Sequence, residues 1–218
     1  MILSHGLGNT LAVNTFYASE FADHRIAAYM FDFPGGSRRG RSSGKTTEMS
    51  VLTEQEDLNT VLDGIEQLPE TDRDNIFLMG ESQGGFVSTC LAAATPDRVK
   101  GLILLYPAFV LQEHAIACLR EWNDDSETVF FRGLTVGRRY LEDALSFDIY
   151  DLMQNYSRDV LILHGTADTD SPIACSERAV EIFPSARLVR IEGAAHGFYG
   201  EDEAKASRLA IQFVQSHL

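Results

Sequence analysis

The sequence predicts an α/β fold: a mostly parallel sheet with helices on both faces. Three observations carry that expectation. Apolar runs of strand length recur along the chain. Patterns with helical spacing lie between several of them. One run ends abruptly in a glycine-rich turn that opens a helix.

The expected strands are Met1–Ser4, Ile26–Phe31, Ile76–Met79, Gly101–Tyr106, Val160–Leu163 and Arg187–Ile191. Each is short, continuous and bounded by Gly, Pro or Asp, as strands buried on both faces are. Between Thr53 and Leu68 the apolar residues Leu58, Val61, Leu62, Ile65 and Leu68 share one helical face. Thr53 with Glu56 reads as a capping box at the start of that helix. Pro172 stands where a first helical turn would begin. Ala204–Leu218 reads as a closing helix.

From Phe109 to Tyr156 the rhythm breaks and no strand is evident. The segment holds "EWNDDSE", "TVFFRGL" and "GRRYLEDALSFDIYDLM". It is too long for an ordinary loop, which predicts a small helical insertion. The 218 residues therefore read as a single domain, 1–218, with an inserted subdomain at 109–156. No internal repeat or low-complexity tract is present.

Composition narrows the function classes. At 44% apolar residues the chain can bury a core, and its net charge is −14. Such a surface repels phosphate backbones and anionic lipid, so no nucleic acid and no membrane partner is expected. The bland reading of the charge is solubility. Cys90, Cys118 and Cys175 form no CxxC motif or Cys/His cluster. That argues against a disulfide framework and a zinc site, and fits a reduced, cytoplasmic setting. Met1 to His5 show no basic region followed by a long apolar one, so no signal peptide is read. The longest apolar stretch, Leu102 to Leu111, contains Pro107 and is too short to span a bilayer.

The chemistry centres on Gly80-Glu81-Ser82-Gln83-Gly84. A residue on a sharp strand-to-helix turn is crowded by backbone, so its neighbours two positions away must be small. The turn lifts the serine hydroxyl clear of the sheet edge. The helix that follows aims its first N–H groups at the same place. A lone serine needs a base. His196 in "IEGAAHGFYG" follows the last strand among small residues, where a loop brings an imidazole to the sheet's carboxyl edge. "VLILHGTADTDSP" offers Asp168 and Asp170 to orient it. The order Ser82, Asp168, His196 is nucleophile, acid, base. His5 and His164 each end a strand beside a glycine and read as structural. Asp32 reads as a loop brace, and Glu81 as a local packing or pairing residue that could tune the site.

In order and spacing, "SHGLGN", "GESQGG", "LHGTADTDSP" and "EGAAHGF" resemble the α/β-hydrolase superfamily over nearly the whole chain. The resemblance implies that the acid stands four residues after the histidine of the His-Gly pair on its strand, which is Asp168. Asp170 is then a turn or capping residue. It also implies an oxyanion hole from the backbone N–H groups of Gln83 and Leu7. The segment 109–156 corresponds to a lid. With "FDFPGGSRRGRSSGKTTEMSVLTEQEDL" it resembles the bacterial cinnamoyl and feruloyl esterases, in which lid side chains receive phenolic hydroxyls. Tyr140 matches a lid tyrosine there and is carried over as a substrate-binding residue. One departure stands out: the strand pair that usually precedes the His-Gly strand is lacking. An uncovered edge strand would invite pairing, which leaves a homodimer open.

The main expectation is a serine carboxylesterase acting on small acyl or aryl, cinnamoyl-like esters through an acyl-enzyme. It needs no metal and no organic cofactor, and its partner is the small ester itself. The rivals are a peptidase of the oligopeptidase type or a thioesterase on the same residues, and a non-catalytic binding module.

Overall fold

The computed structural model describes residues 1–122 and 126–218. The chain begins with β1 (Ile2–Ser4), a 3₁₀ turn (Leu11–Asn14), α1 (Thr15–Asp23), β2 (Tyr29–Met30) and α2 (Val51–Glu66). A second 3₁₀ turn (Arg73–Asn75) leads into β3 (Phe77–Glu81), α3 (Gln83–Ala94) and β4 (Gly101–Leu105). Next come α4 (Leu111–Glu121), β5 (Thr128–Phe131), β6 (Leu134–Gly137), α5 (Arg138–Ala144) and α6 (Ile149–Met153). The chain closes with β7 (Val160–Gly165), α7 (Ile173–Ile182), β8 (Ala186–Ile191) and α8 (Glu201–Gln215).

Six strands form a parallel sheet in the order β2-β1-β3-β4-β7-β8. Their side chains alternate between two cores. Leu78, Leu102, Leu104 and Ile162 face a core closed by α2, α3 and α7. Phe77, Met79, Ile103 and Leu161 face one closed by α1 and α8. This period of two explains the unbroken apolar runs: a strand covered on both sides has no face left for polar residues. Among the described residues no helix is long and apolar enough to cross a membrane.

The structure moves several expected boundaries. The second run shrinks to Tyr29–Met30, which pair with Ile2 and Leu3. β1 is thus one strand in from the edge, and the edge itself is only two residues long. Short edges are one way in which sheets discourage pairing with another chain. The helix expected from Thr53 begins at Val51, because Ser50 is extended and caps it. The Ser50 hydroxyl accepts the Thr53 N–H at 3.3 Å, and the Thr53 hydroxyl accepts the Ser50 N–H at 2.8 Å. The box partner is therefore Thr53, not Glu56. The last helix starts earlier than Ala204, at Glu201, with three acidic residues in its first turn. Carboxylates there complement the helix dipole.

The insertion is not purely helical. It holds α4, α5 and α6 together with an antiparallel hairpin of β5 and β6. Arg132 and Gly133 form the two-residue turn, both with positive φ, 46° and 89°. Such turns match the right-handed twist of a hairpin. Gln112 links the three helices: its amide donates to the Ala144 carbonyl at 2.8 Å and to that of Phe147, and accepts from the Ile149 N–H at 3.1 Å. Phe131, Leu134, Val136 and Tyr140 are buried in the same core as α2 and α3. Part of "EWNDDSE", residues 123–125, lies outside the described residues.

Ser50 also donates to Asp143 of α5 at 2.5 Å, joining the α2 cap to the insertion. Ser50→Ala should lower unfolding free energy by about 1–2 kcal/mol in urea titrations, and Ser50→Thr should recover most of it.

Candidate active site

Ser82 occupies the junction of β3 and α3 with φ 51° and ψ −119°. A non-glycine residue holds this conformation only when its surroundings enforce it. Here they do. A Cβ at Gly84 would stand 2.3 Å from the Ser4 carbonyl oxygen, and one at Gly80 2.3 Å from that of Gly84. The helix start, β1 and the nucleophile strand are pressed together. The Ser82 N–H donates to the Leu105 carbonyl at 3.0 Å, and its own carbonyl receives the Ala108 N–H at 2.9 Å. Gly6 leaves the space in front: a Cβ there would be 3.0 Å from that of Ser82.

The hydroxyl so presented lies 2.9 Å from His196 Nε2. His196 Nδ1 lies 2.8 Å from Asp168 Oδ2. A carboxylate only accepts, so Nδ1 carries the proton and neutral Nε2 accepts from Ser82. The loop after β8 reaches this point by packing on the end of β7: a Cβ at Gly165 would stand 2.2 Å from the Ala194 carbonyl oxygen.

Asp168 is buried and held from several sides. Its Oδ1 accepts the N–H groups of Asp170 at 2.9 Å and Ser171 at 2.8 Å. His164 Nε2 stands 3.2 Å from Oδ2 and 2.7 Å from the Ser171 carbonyl, while Nδ1 accepts from the Ser176 hydroxyl at 2.7 Å. Burial alone would push the Asp168 carboxyl up. The bonds from His164, His196 and the Ser171 amide outweigh it and hold the group well below the usual carboxylate range. It therefore stays ionised, which is what an imidazole taking up a proton needs beside it.

Gln83 heads α3, so its N–H has no partner within the helix. Among the described residues the N–H groups of Gln83 and Leu7 donate to no other backbone group. Both residues line a small pocket with Ser82 and His196, about 40 Å³, under the insertion. A second, larger cavity of about 660 Å³ adjoins it and shares Leu7, Ser82, Arg132, Asp170 and His196 in its lining. The arrangement sets two backbone N–H groups near a serine and an imidazole.

The structure thus brings together Ser82, His196, Asp168, Leu7 and Gln83. Tyr140 it places behind them, fully buried, with its hydroxyl donating to the Gln83 side-chain oxygen. The Gln83 amide in turn donates to Glu54 of α2 at 2.7 Å. Glu54 is a residue the sequence reading passed over, since it lies on a helix expected only to pack. Arg132 is another: from the hairpin tip it pairs with Asp170 at 2.9 Å across the mouth. Asp32 braces its loop, accepting from Leu11 and Arg41 N–H groups at 2.7 Å each. His5 donates from Nδ1 to the Gly6 carbonyl at 2.9 Å and accepts the Phe33 N–H at 3.1 Å. Among the described residues no three His, Cys, Asp or Glu side chains group as a metal site.

Parallel sheet, strand-turn-helix serine and a histidine loop at the carboxyl edge together define an α/β hydrolase. The chain belongs to the hydrolase family described as Serine aminopeptidase, S33, whose profile matches residues 1–149. Among solved structures, Est1E from Butyrivibrio proteoclasticus with ferulic acid bound is similar at 23% identity and a TM-score of 0.88, covering 99% of this chain and 88% of that one. The monoacylglycerol lipase of Paleococcus ferrophilus follows at 20% identity and a TM-score of 0.78, covering 100% and 94%. The esterase EaEST of Exiguobacterium antarcticum has 17% identity and a TM-score of 0.76, covering 98% and 91%. No curated protein compared with the chain matches it.

Two outcomes follow. Gly84→Ala should destabilise by about 3 kcal/mol or more because the new Cβ meets backbone. Gly64→Ala, on α2 with nothing within 4 Å, should be neutral or gain about 0.5–1 kcal/mol. Burial pushes the Glu54 carboxyl from 4.5 up to about 8, against the pull of the Gln83 amide. The folded chain then keeps a proton that the unfolded chain releases between those two values. Stability contributed by this group is full below pH 4.5 and falls as pH rises toward 8. The slope is at most ~1.4 kcal/mol per pH unit. Thermal melts of Glu54→Gln should show a flatter pH dependence over that window than the parent.

Proposed function

We propose that the chain is a serine carboxylesterase acting on small acyl or aryl esters. The observation that carries this reading is the continuous hydrogen-bonded path Ser82–His196–Asp168, with the serine end lining two cavities. His196 Nε2 takes the Ser82 proton as the hydroxyl oxygen attacks the ester carbonyl. Asp168 holds the resulting imidazolium. The carbonyl oxygen, now negative, is received by the Leu7 and Gln83 N–H groups. His196 gives its proton to the leaving alkoxide. A water then enters and loses a proton to His196 as its oxygen attacks the acyl carbon. The acid leaves as the acyl–Ser82 bond breaks and His196 returns that proton to the serine oxygen.

The inner pocket suits the acyl side. Its small volume favours short chains, with Phe131 and Tyr140 as its aromatic wall. The ferulic acid in the Est1E structure supports an aryl acyl group as well, which here requires the hairpin carrying Phe131 to give way. The Tyr140 hydroxyl serves the substrate through Gln83, whose backbone it helps to fix. A peptidase is the second reading, favoured by the aminopeptidase description of the family.

Ser82→Ala should lower kcat/KM for p-nitrophenyl butyrate by about 10⁴-fold or more with an unchanged melting curve, and Asp168→Asn by a similar factor. A fluorophosphonate should label Ser82 in the parent only. Turnover surviving in Ser82→Ala would remove the serine from the mechanism. A matched p-nitroanilide running faster than the ester would move the assignment to the peptidase, and folded protein that takes no label would be a binding module.

A further inference from the structure

The larger cavity shares Leu7, Ser82 and His196 with the proposed chemistry, but it also holds buried polar groups that ester hydrolysis does not use. Glu81, immediately before the nucleophile, is only 6% exposed. Its Oε2 accepts from the Tyr106 hydroxyl at 2.6 Å. Its Oε1 is buried and, among the described residues, has no hydrogen-bond partner. Tyr17 of α1, 2% exposed, lines the same cavity with its hydroxyl equally unpartnered. Glu203, in the first turn of α8, lines it too. Phe16, Phe198 and Tyr199 add aromatic walls. The one cationic residue of the lining, Arg132, is engaged by Asp170.

A buried carboxylate oxygen without a donor is unfavourable by itself. It becomes favourable when a ligand supplies the donor. Two carboxylates select a positive charge over a neutral group. Aromatic faces around them do the same, since a cation is attracted to the ring quadrupole. An anion is excluded by both. The side of the substrate follows from His196. The leaving oxygen is the atom it protonates, and Gly197, Phe198 and Tyr199, which continue from it, wall this cavity and not the inner pocket.

We propose that this cavity is a cation subsite that seats a protonated amine in the alcohol portion of the ester, with Glu81 Oε1 accepting its N–H and Glu203 adding a second negative charge. The inference rests on the hydrolase reading above and names the substrate class that reading leaves open: esters of amino alcohols. Burial pushes the Glu81 carboxyl up, against the pull of the Tyr106 hydroxyl and His196 and with a smaller push from Glu203, so that it stands at about 7. The groups facing it are Tyr106 after β4, Tyr17 of α1, Glu203 of α8 and His196 after β8. The Glu81 charge is therefore present above neutral pH and lost below it, which weakens the preference.

The test compares 2-(dimethylamino)ethyl butyrate with 3-methylbutyl butyrate. The two share one heavy-atom skeleton and differ by a protonated nitrogen in place of a C–H carbon. At pH 7.5 the amino ester should have a kcat/KM about tenfold higher, equivalent to ~1.4 kcal/mol. The ratio of the two rates is the readout, so loss of alignment or folding that slows both esters leaves it unchanged. Glu81→Gln should bring the ratio close to one, and Glu203→Gln should lower it several-fold. In the parent the ratio should fall between pH 7.5 and 6, as the Glu81 carboxyl takes up its proton. A parent ratio near one with both esters hydrolysed overturns the subsite and leaves the hydrolase reading intact. A high ratio that survives Glu81→Gln overturns the role of Glu81. Failure of both esters, together with no fluorophosphonate label, overturns the hydrolase reading and this inference with it.

Discussion

The backbone of Ser82 is the constraint on which the site depends. Its φ of 51° is strained for a residue with a Cβ, and the strain persists because three backbone segments meet around it without side chains between them. Gly6, Gly80 and Gly84 are not flexible joints here. They are the places where β1, β3 and α3 touch. Because β1 and β3 are adjacent in the sheet, the same close approach that bends the nucleophile turn also sets Leu7 beside it. One packing event thus fixes both the hydroxyl and one of the two N–H groups.

The remaining parts reach this point by different routes. Asp168 stands on the loop after β7 and takes its orientation from His164, Ser171 and His196 together. Gln83 is held from outside the turn, by Glu54 on α2 and Tyr140 on α5. The insertion is therefore coupled to the base of the site through a buried polar chain, and not only through the roof of the inner pocket. Such chains are worth most when each member is satisfied, and here the Gln83 side chain uses both its oxygen and its amide nitrogen.

The sequence made the sheet and the reactive cluster legible for a common reason. Strands buried on both faces admit only apolar residues, and a crowded turn admits only glycines, so both leave marks in the composition of short stretches. Helix starts were read less well: Ser50 caps α2 because of its extended backbone, which Thr53 and Glu56 do not reveal. The hairpin was missed for lack of length. Its strands are four residues each, and its turn uses Arg132-Gly133 where Asn-Gly would have been recognised. Tyr140 is singled out only by the resemblance of its segment to a lid, and its burial depends on α2 and α3 closing over it, information that no local pattern holds. Glu54 and Arg132 act across more than twenty residues of chain, and side-chain pairings at that range leave no periodic signal.

The hairpin tip has a further consequence. Arg132 and Asp170 are both open to water, and a pair in that setting contributes no more than about 1 kcal/mol. Phe131 and Leu134, which flank the turn, are buried in the core, and Thr135 is hydrogen-bonded to Arg38 and Thr46, so the backbone of the tip is anchored and the clasp fixes only the two charged side chains. At such a strength the unclasped arrangement lies within roughly a factor of five in population. What comes loose is then the Arg132 side chain at the rim common to both cavities, and dissolved ions screen its pairing, so how often that guanidinium swings free is a property of the medium as well as of the fold.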